Sequence, residues 1–258
     1  MTDKLLLDEP AEGVARLTIA NPERRGALDH QILDALAEHA RTLDARCLVI
    51  RGTGDVFSAG YDIGNLSEQE FEESAEKLVA HPFHDALEAL EAYRYPVVAE
   101  INGHAIGGGL ELALTCDIRI AASGIKMGMP PAKLGLIYSH TGLAKFIDVC
   151  GPANTAELFF VGRNVDSERA REMGLVNQVV DPVALGTRVL DIAGEIASNA
   201  PLSLAGNKQL LRELRALRLP ADLERELVEL RESCFASEDF REGVQAFAEK
   251  RKPRWRGR

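Results

Sequence analysis

The sequence predicts an α/β protein whose parallel strands are joined by crossover helices. Three observations carry that expectation. Short β-like runs alternate with helical patterns through the first two-thirds of the chain. The unit of strand, glycine turn and helix recurs about every 50 residues. From about residue 140 the pattern turns to helices only.

Each element has a local reason. Residues 14–19 alternate apolar and polar as a half-buried strand does, and Asn21-Pro22 ends it. Residues 29–43 place Ile32, Leu33, Leu36, Ala40 and Leu43 at helical spacing, with Asp29 as N-cap. Residues 47–50 form a short buried strand before the turn Gly52-Thr53-Gly54. Residues 71–93 read as helical, interrupted near Pro82. Residues 97–101 form a strand closed by Asn102-Gly103, and a glycine run leads into an apolar helix from Leu110. Residues 118–120 are a third core strand. The stretches 184–198, 202–217 and 220–235 carry amphipathic spacing and Glu/Arg pairs four residues apart.

Composition narrows the function classes. Hydrophobic residues are 46% and charged residues 27% of the 258, the balance of a soluble globular chain rather than a disordered one. No apolar run approaches the roughly 18–20 residues a bilayer span needs. The first residues lack a basic stretch followed by a long apolar one, so no secretory signal is expected. Cys47, Cys116, Cys150 and Cys234 are scattered without CxxC spacing, which predicts reduced, buried thiols in a cytoplasmic protein and no metal site. The formal charge of −10 disfavours a general nucleic-acid or anionic-membrane binder. The last nine residues, 250–258, are a local exception, with six basic and no acidic side chains.

Two glycine-bearing segments stand out. GxGxxG after a strand, the P-loop, GxSxG and HExxH are all absent. The run FSAGYD (57–62) places a small-residue turn after a strand, where backbone N–H groups can serve an anion. The run NGHAIGGGLELA (102–113) spends three consecutive glycines just before an apolar helix, which makes sense where backbone must approach another group. A helix beginning there points N–H groups and its positive end at one spot. Glu111 lies about one turn on, among apolar neighbours, and is a candidate for proton transfer.

Taken in order, PERRGAL (22–28), FSAGYD (57–62), NGHAIGGGLE (102–111), CDIRIAA (116–122), GLVN (174–177) and EGVQAFAEKRKP (242–253) resemble the crotonase superfamily, the enoyl-CoA hydratase/isomerase family, over nearly the whole chain. The resemblance implies a ClpP-like spiral of ββα units over residues 1–198. It assigns residues 199–258 to a helical oligomerisation and lid region that builds trimers, often paired into hexamers. It implies an acyl-CoA thioester as substrate, CoA itself supplying the bound group, with no separate cofactor and no metal. The thioester oxygen would lie in an oxyanion hole made by the backbone N–H groups of Tyr61 and Gly108, with Glu111 as acid/base. Contacts to CoA would come from Arg25, Ala27, Ala59, Asp62, Ile63, Phe247 and Lys250, the last two often serving a neighbouring subunit. Members that hydrate usually carry a second Glu, and Pro131 occupies that position here. The run LGLIY (134–138), with Pro131, resembles the methylmalonyl-CoA decarboxylase branch, in which Tyr138 would orient or protonate, although that branch has His where this chain has Tyr61. Decarboxylation of malonyl- or methylmalonyl-CoA is thus an alternative to hydratase or isomerase activity. A third alternative is an RNA-binding or non-catalytic homologue, the RNA-binding reading resting on the basic tail. His104, Asp62 and Asp117 read as structural hydrogen-bonding or turn residues, and His140 as a helix-start residue.

Overall fold

The computed structural model describes residues 2–61, 81–215 and 221–256. Asp62, Ile63 and residues 71–80 of the helix expected over 71–93 lie outside the described residues.

The chain opens with an antiparallel hairpin, β1 (Leu5–Ala11) and β2 (Val14–Ile19). Helix α1 (His30–Thr42) follows, and Asp29 Oδ1 accepts from Ile32 N at 3.0 Å as its N-cap. Ile32, Leu33, Leu36, Ala37 and Ala40 form its buried stripe.

Then a two-strand, one-helix unit repeats. The pairs are β3 (Cys47–Gly52) with β4 (Val56–Ser58), β5 (Val97–Ile101) with β6 (His104–Ile106), and β7 (Ile118–Ala122) with β8 (Lys126–Gly128). In each pair the first strand joins a six-stranded sheet of order β1-β2-β3-β5-β7-β10, with β10 at Gln178–Val180, and the second joins a four-stranded sheet of order β4-β6-β8-β9, with β9 at Val165–Asp166. Helices α2 (His81–Ala92), α3 (Gly108–Thr115) and α4 (His140–Ala156) follow the three pairs. The repeat has the form of the spiral of ββα turns that the resemblance implies. The strands β2, β3, β5 and β7 pair in parallel, and residues 47–50 and 97–101 are buried on both faces.

Two strands correct the expectation of helices only after residue 140. Val165–Asp166 (β9) pairs antiparallel with β8, and Gln178–Val180 (β10) pairs in parallel with β7. Helix α5 (Ser167–Glu172) lies between them. The remainder is α6 (Pro182–Ser198), α7 (Pro201–Arg215), α8 (Ala221–Phe235) and α9 (Glu238–Ala248). Lys208 of α7 anchors that helix to the core, reaching Tyr95 O at 2.9 Å and Asp117 Oδ2 at 2.8 Å. Among the described residues, no helix is long and apolar enough to cross a membrane. All four cysteines are free, but Cys234 is only half-buried, a departure from the expectation of uniformly buried thiols. Burial pushes the Cys47 and Cys116 thiols up to about 12, so both stay protonated.

Candidate active site

The site forms where β4 and β6 end side by side. The two strands run parallel, Val56 opposite His104 and Ser58 opposite Ala105. Past their ends the two chains bend together. Gly60 adopts φ +92°, and a Cβ there would lie 2.7 Å from Ile106 O and 2.9 Å from Gly108 N. A Cβ on Gly108 would lie 3.4 Å from Tyr61 N. The structure therefore brings the Tyr61 and Gly108 amides together, one from each glycine-bearing segment. Close backbone approach, the reason inferred for the glycine run, is what the run provides: a Cβ on Gly109 would meet Ser58 O at 2.4 Å.

The PERRGAL segment braces the same corner. Ala59 N donates to Arg25 O at 3.0 Å, Leu28 N to Gly60 O at 2.8 Å, and Ser58 Oγ to Gly26 O at 2.8 Å. Ser58 Oγ also accepts from Gly60 N at 3.1 Å, which holds the turn. Arg25 sits at φ +53°, a sparsely populated conformation for a side-chain-bearing residue, and its side chain is exposed. Arg25, Ala27 and Ala59 are thus gathered beside Tyr61.

Helix α3 carries the next group. Gly107, at φ +57°, precedes its first turn, and Leu110 and Leu112 are fully buried. Each buried leucine contributes roughly 1.5–3 kcal/mol toward seating the helix. Glu111, one turn beyond Gly108, is only 4% exposed. A carboxylate that buried needs a partner, and the Tyr138 hydroxyl donates to its Oε2. Tyr138 stands just before α4, whose N-cap Ser139 accepts from Gly142 N at 3.1 Å. Its ring meets Phe159 edge-on at 5.4 Å, and Phe159 meets Phe146 at 5.0 Å. A Cβ on Gly142 would come 2.5 Å from Tyr138 Cε1, so the glycine makes room for the ring. Lys145 ties the helices together, with its Nζ 2.7 Å from both Thr115 Oγ1 and Glu91 Oε1.

Two residues at this corner were invisible in the sequence. A Cβ on Gly108 would lie 3.2 Å from Phe83 Cζ, and the Phe83 ring meets Tyr61 edge-on at 6.5 Å. His30 Nε2 shares a hydrogen bond with the Tyr61 hydroxyl at 3.3 Å. No local pattern marks either, because each arrives through helix packing rather than through a motif.

The other candidates fall elsewhere. Pro131 is buried at the start of a 3₁₀ turn, Pro131–Leu134, and offers no proton-transfer group. His104 Nδ1 accepts from Lys126 N at 3.0 Å, a structural bond as expected. Asp117 accepts from Val97 N at 2.7 Å. His140 opens α4. Phe247 is 68% exposed on α9, and Lys250 is exposed just beyond it at φ +52°. The basic tail turns back onto acidic α9. Arg251 pairs with Glu242 and Glu249, Arg254 N donates to Glu242 Oε1 at 2.7 Å, and Arg256 reaches Glu238 at 3.2 Å. The Arg251 guanidinium, helped by the Arg254 N–H, holds the Glu242 carboxyl down at about 2.

A family model described as enoyl-CoA hydratase/isomerase matches residues 9–258. A crotonyl-CoA hydratase of Syntrophomonas wolfei is 35% identical over 255 residues, covering 95% of each chain. A short-chain-enoyl-CoA hydratase of Clostridium acetobutylicum is 33% identical over 245 residues, covering 93% of this chain and 92% of that one. Among solved structures, a methylmalonyl-CoA decarboxylase in complex with 2-nitronate-propionyl-CoA superposes with a TM-score of 0.90 at 28% identity, over 100% of both chains.

Proposed function

Because this chain belongs to the enoyl-CoA hydratase/isomerase family, we propose that it seats the carbonyl oxygen of an acyl-CoA thioester at the Tyr61 and Gly108 amides. The reaction then passes through an enolate, with Glu111 as acid/base. One observation carries this reading: the Tyr138 hydroxyl donates to a buried Glu111 carboxylate one helical turn beyond Gly108.

The physics is that of differential binding. Removing a proton beside a thioester carbonyl moves an electron pair onto its oxygen. Preset N–H donors and the positive end of α3 favour that anion over the neutral ground state. One such donor is worth about 10²–10³ in rate. Glu111 takes the proton and returns it to carbon, and Tyr138 orients the carboxylate that does so. With Pro131 in the second position, a single carboxylate serves every proton step, which suits a double-bond shift and leaves hydration to Glu111 acting twice.

Pro131 and Tyr138 favour a second reading, decarboxylation. The bond from Cα to the carboxylate of a malonyl- or methylmalonyl-type thioester breaks and CO2 leaves. The electron pair enters the same enolate, and a proton is then delivered to Cα. No second carboxylate is required, and the likeness to a methylmalonyl-CoA decarboxylase structure supports this route. Incubation with a panel of enoyl-, malonyl- and methylmalonyl-CoA esters, read by mass, separates the outcomes. Water gain marks hydration, loss of CO2 marks decarboxylation, and unchanged mass with altered absorbance marks isomerisation. A panel left wholly intact overturns the proposal.

The exposed Leu202, Leu210, Leu211 and Leu214 of α7 support assembly into a trimer or a dimer of trimers, with Phe247 and Lys250 serving a neighbour's CoA. The tail's pairing with α9 speaks against RNA binding, since Arg251 and Arg256 already face carboxylates of the same chain.

A further inference from the structure

Residues 134–138 connect the Pro131–Leu134 turn to α4 and deliver Tyr138 to Glu111. Three parts of the C-terminal region meet this short segment. From α8, Cys234 brackets the residue before Tyr138: Ile137 N donates to its Sγ at 3.3 Å, and its thiol donates to Gly135 O at 3.0 Å. From α9, Gly243 lies so close that a Cβ on it would be 2.3 Å from Leu134 O. From the tail, Trp255 joins Asp239 over Gly135: a Cβ there would lie 2.8 Å from Asp239 O and 3.1 Å from Trp255 Cζ3. Gly135 itself is at φ +67°, so the segment bends sharply under these contacts.

Resting on the role given above to Tyr138, we propose that the C-terminal helices clamp this segment and that Cys234 is the positioning residue for Tyr138. Cys234 supplies one acceptor and one donor to two peptide groups of a single loop, which sets the direction in which the chain enters Tyr138. A thiol is a weak partner at each end, but losing both bonds frees the loop to shift. A displacement of about 1 Å at a reacting group can cost about 10²-fold in rate.

The test uses the full-length protein and two independent readouts. In Cys234→Ala, hydrogen exchange of peptides spanning 135–138 accelerates about tenfold and kcat falls about tenfold or more, with KM nearly unchanged. Cys234→Ser, which keeps a donor and an acceptor, restores both to within about threefold. In a Tyr138→Phe background, Cys234→Ala lowers kcat no further. Trp255→Ala, at a half-exposed position, loosens the same peptides and keeps the test available should Cys234→Ala not fold. Wild-type exchange in both Cys234→Ala and Trp255→Ala overturns the clamp, as does a full kcat loss that persists in the Tyr138→Phe background. A wild-type rate in Tyr138→Phe instead fails the catalytic reading of Tyr138, while the exchange result still decides the clamp.

Discussion

Replacing Gly60 by Ala tests the paired amides most directly. At φ +92°, alanine costs roughly 1–2 kcal/mol in backbone conformation. Its Cβ would also press on Ile106 O at 2.7 Å and Gly108 N at 2.9 Å, which adds roughly 1–3 kcal/mol of overpacking. The sum is about 2–5 kcal/mol, or a fall in Tm of about 4–20 °C for a chain of this size. Gly54 provides the control, because it sits at φ +64° with nothing within 4 Å of its would-be Cβ. Gly54→Ala carries the backbone cost alone, a fall of about 2–8 °C. Relieving the crowding in Gly60→Ala displaces the 106–108 backbone from the 60–61 turn, and so changes the spacing of the Tyr61 and Gly108 amides. Its kcat, measured below both melting temperatures on the thioester found in the panel, should fall about 10²–10³-fold. Gly54→Ala should keep the wild-type rate. If Gly60→Ala turns over normally and melts no lower than Gly54→Ala, the two amides do not act together and the oxyanion reading fails.

Further predictions concern the groups around that corner. Glu111→Gln should lower turnover about 10²–10⁴-fold while calorimetry still shows CoA-ester binding, and normal activity on an enoyl-CoA would remove Glu111 from its role. Gly142→Ala should gain helix propensity of about 1 kcal/mol yet lose turnover about tenfold or more, because its Cβ would intrude to 2.5 Å from Tyr138 Cε1. An unchanged rate there refutes the placement of Tyr138. Glu100 is 1% exposed, with Arg51 at 3.1 Å and its Oε2 without a hydrogen-bond partner among the described residues. Burial pushes its carboxyl above the ordinary 4.5, against the pull of Arg51 and Arg16. A raised value in the folded state means that stability is lost as pH rises through it. The Tm of Glu100→Gln relative to wild type should therefore climb as pH rises above about 4.5, and a constant difference counts against burial as the dominant cause.

What could be read from the sequence follows from where each residue's partners lie. Helix α1 was legible because its cap and its stripe are local: Asp29 caps Ile32, and Ile32, Leu33 and Leu36 share one face. Strands β3 and β5 were legible as short apolar runs between turns. Strand β1 was not, because it is an edge strand with Leu6, Leu7, Asp8 and Glu9 all exposed, and nothing alternates. Strands β9 and β10 span two and three residues and exist through pairing with distant β8 and β7. The same division holds in the site. The glycine turns and Glu111 lie on contiguous motifs, whereas Phe83, His30 and Cys234 reach it from helices whose packing no short window encodes. Tyr138 was noted through a resemblance, but its pairing with Glu111 required the fold to bring residues 27 apart in sequence into contact.

The position of the amide pair is a consequence of register. Two parallel strands joined by a crossover finish at the same edge of their sheet. Here Ser58 faces Ala105, and two residues beyond each lie Gly60 and Gly107, both at positive φ. The next residue in each chain is Tyr61 or Gly108: β4 carries one extra residue between Val56 and Ser58, and from the Ser58–Ala105 pair onward the two chains advance together and bring the two amides side by side. A slip of one residue would turn the side chains of the slipped strand to the opposite face. It would bury the exposed His104 where Ala105 now sits at 0% exposure, and would separate the turns. The core therefore enforces the register, and the register places the two amides. Pro131 and Tyr138 belong to later elements outside that constraint, so the chemistry proposed for this corner can differ through them while the two amides stay paired.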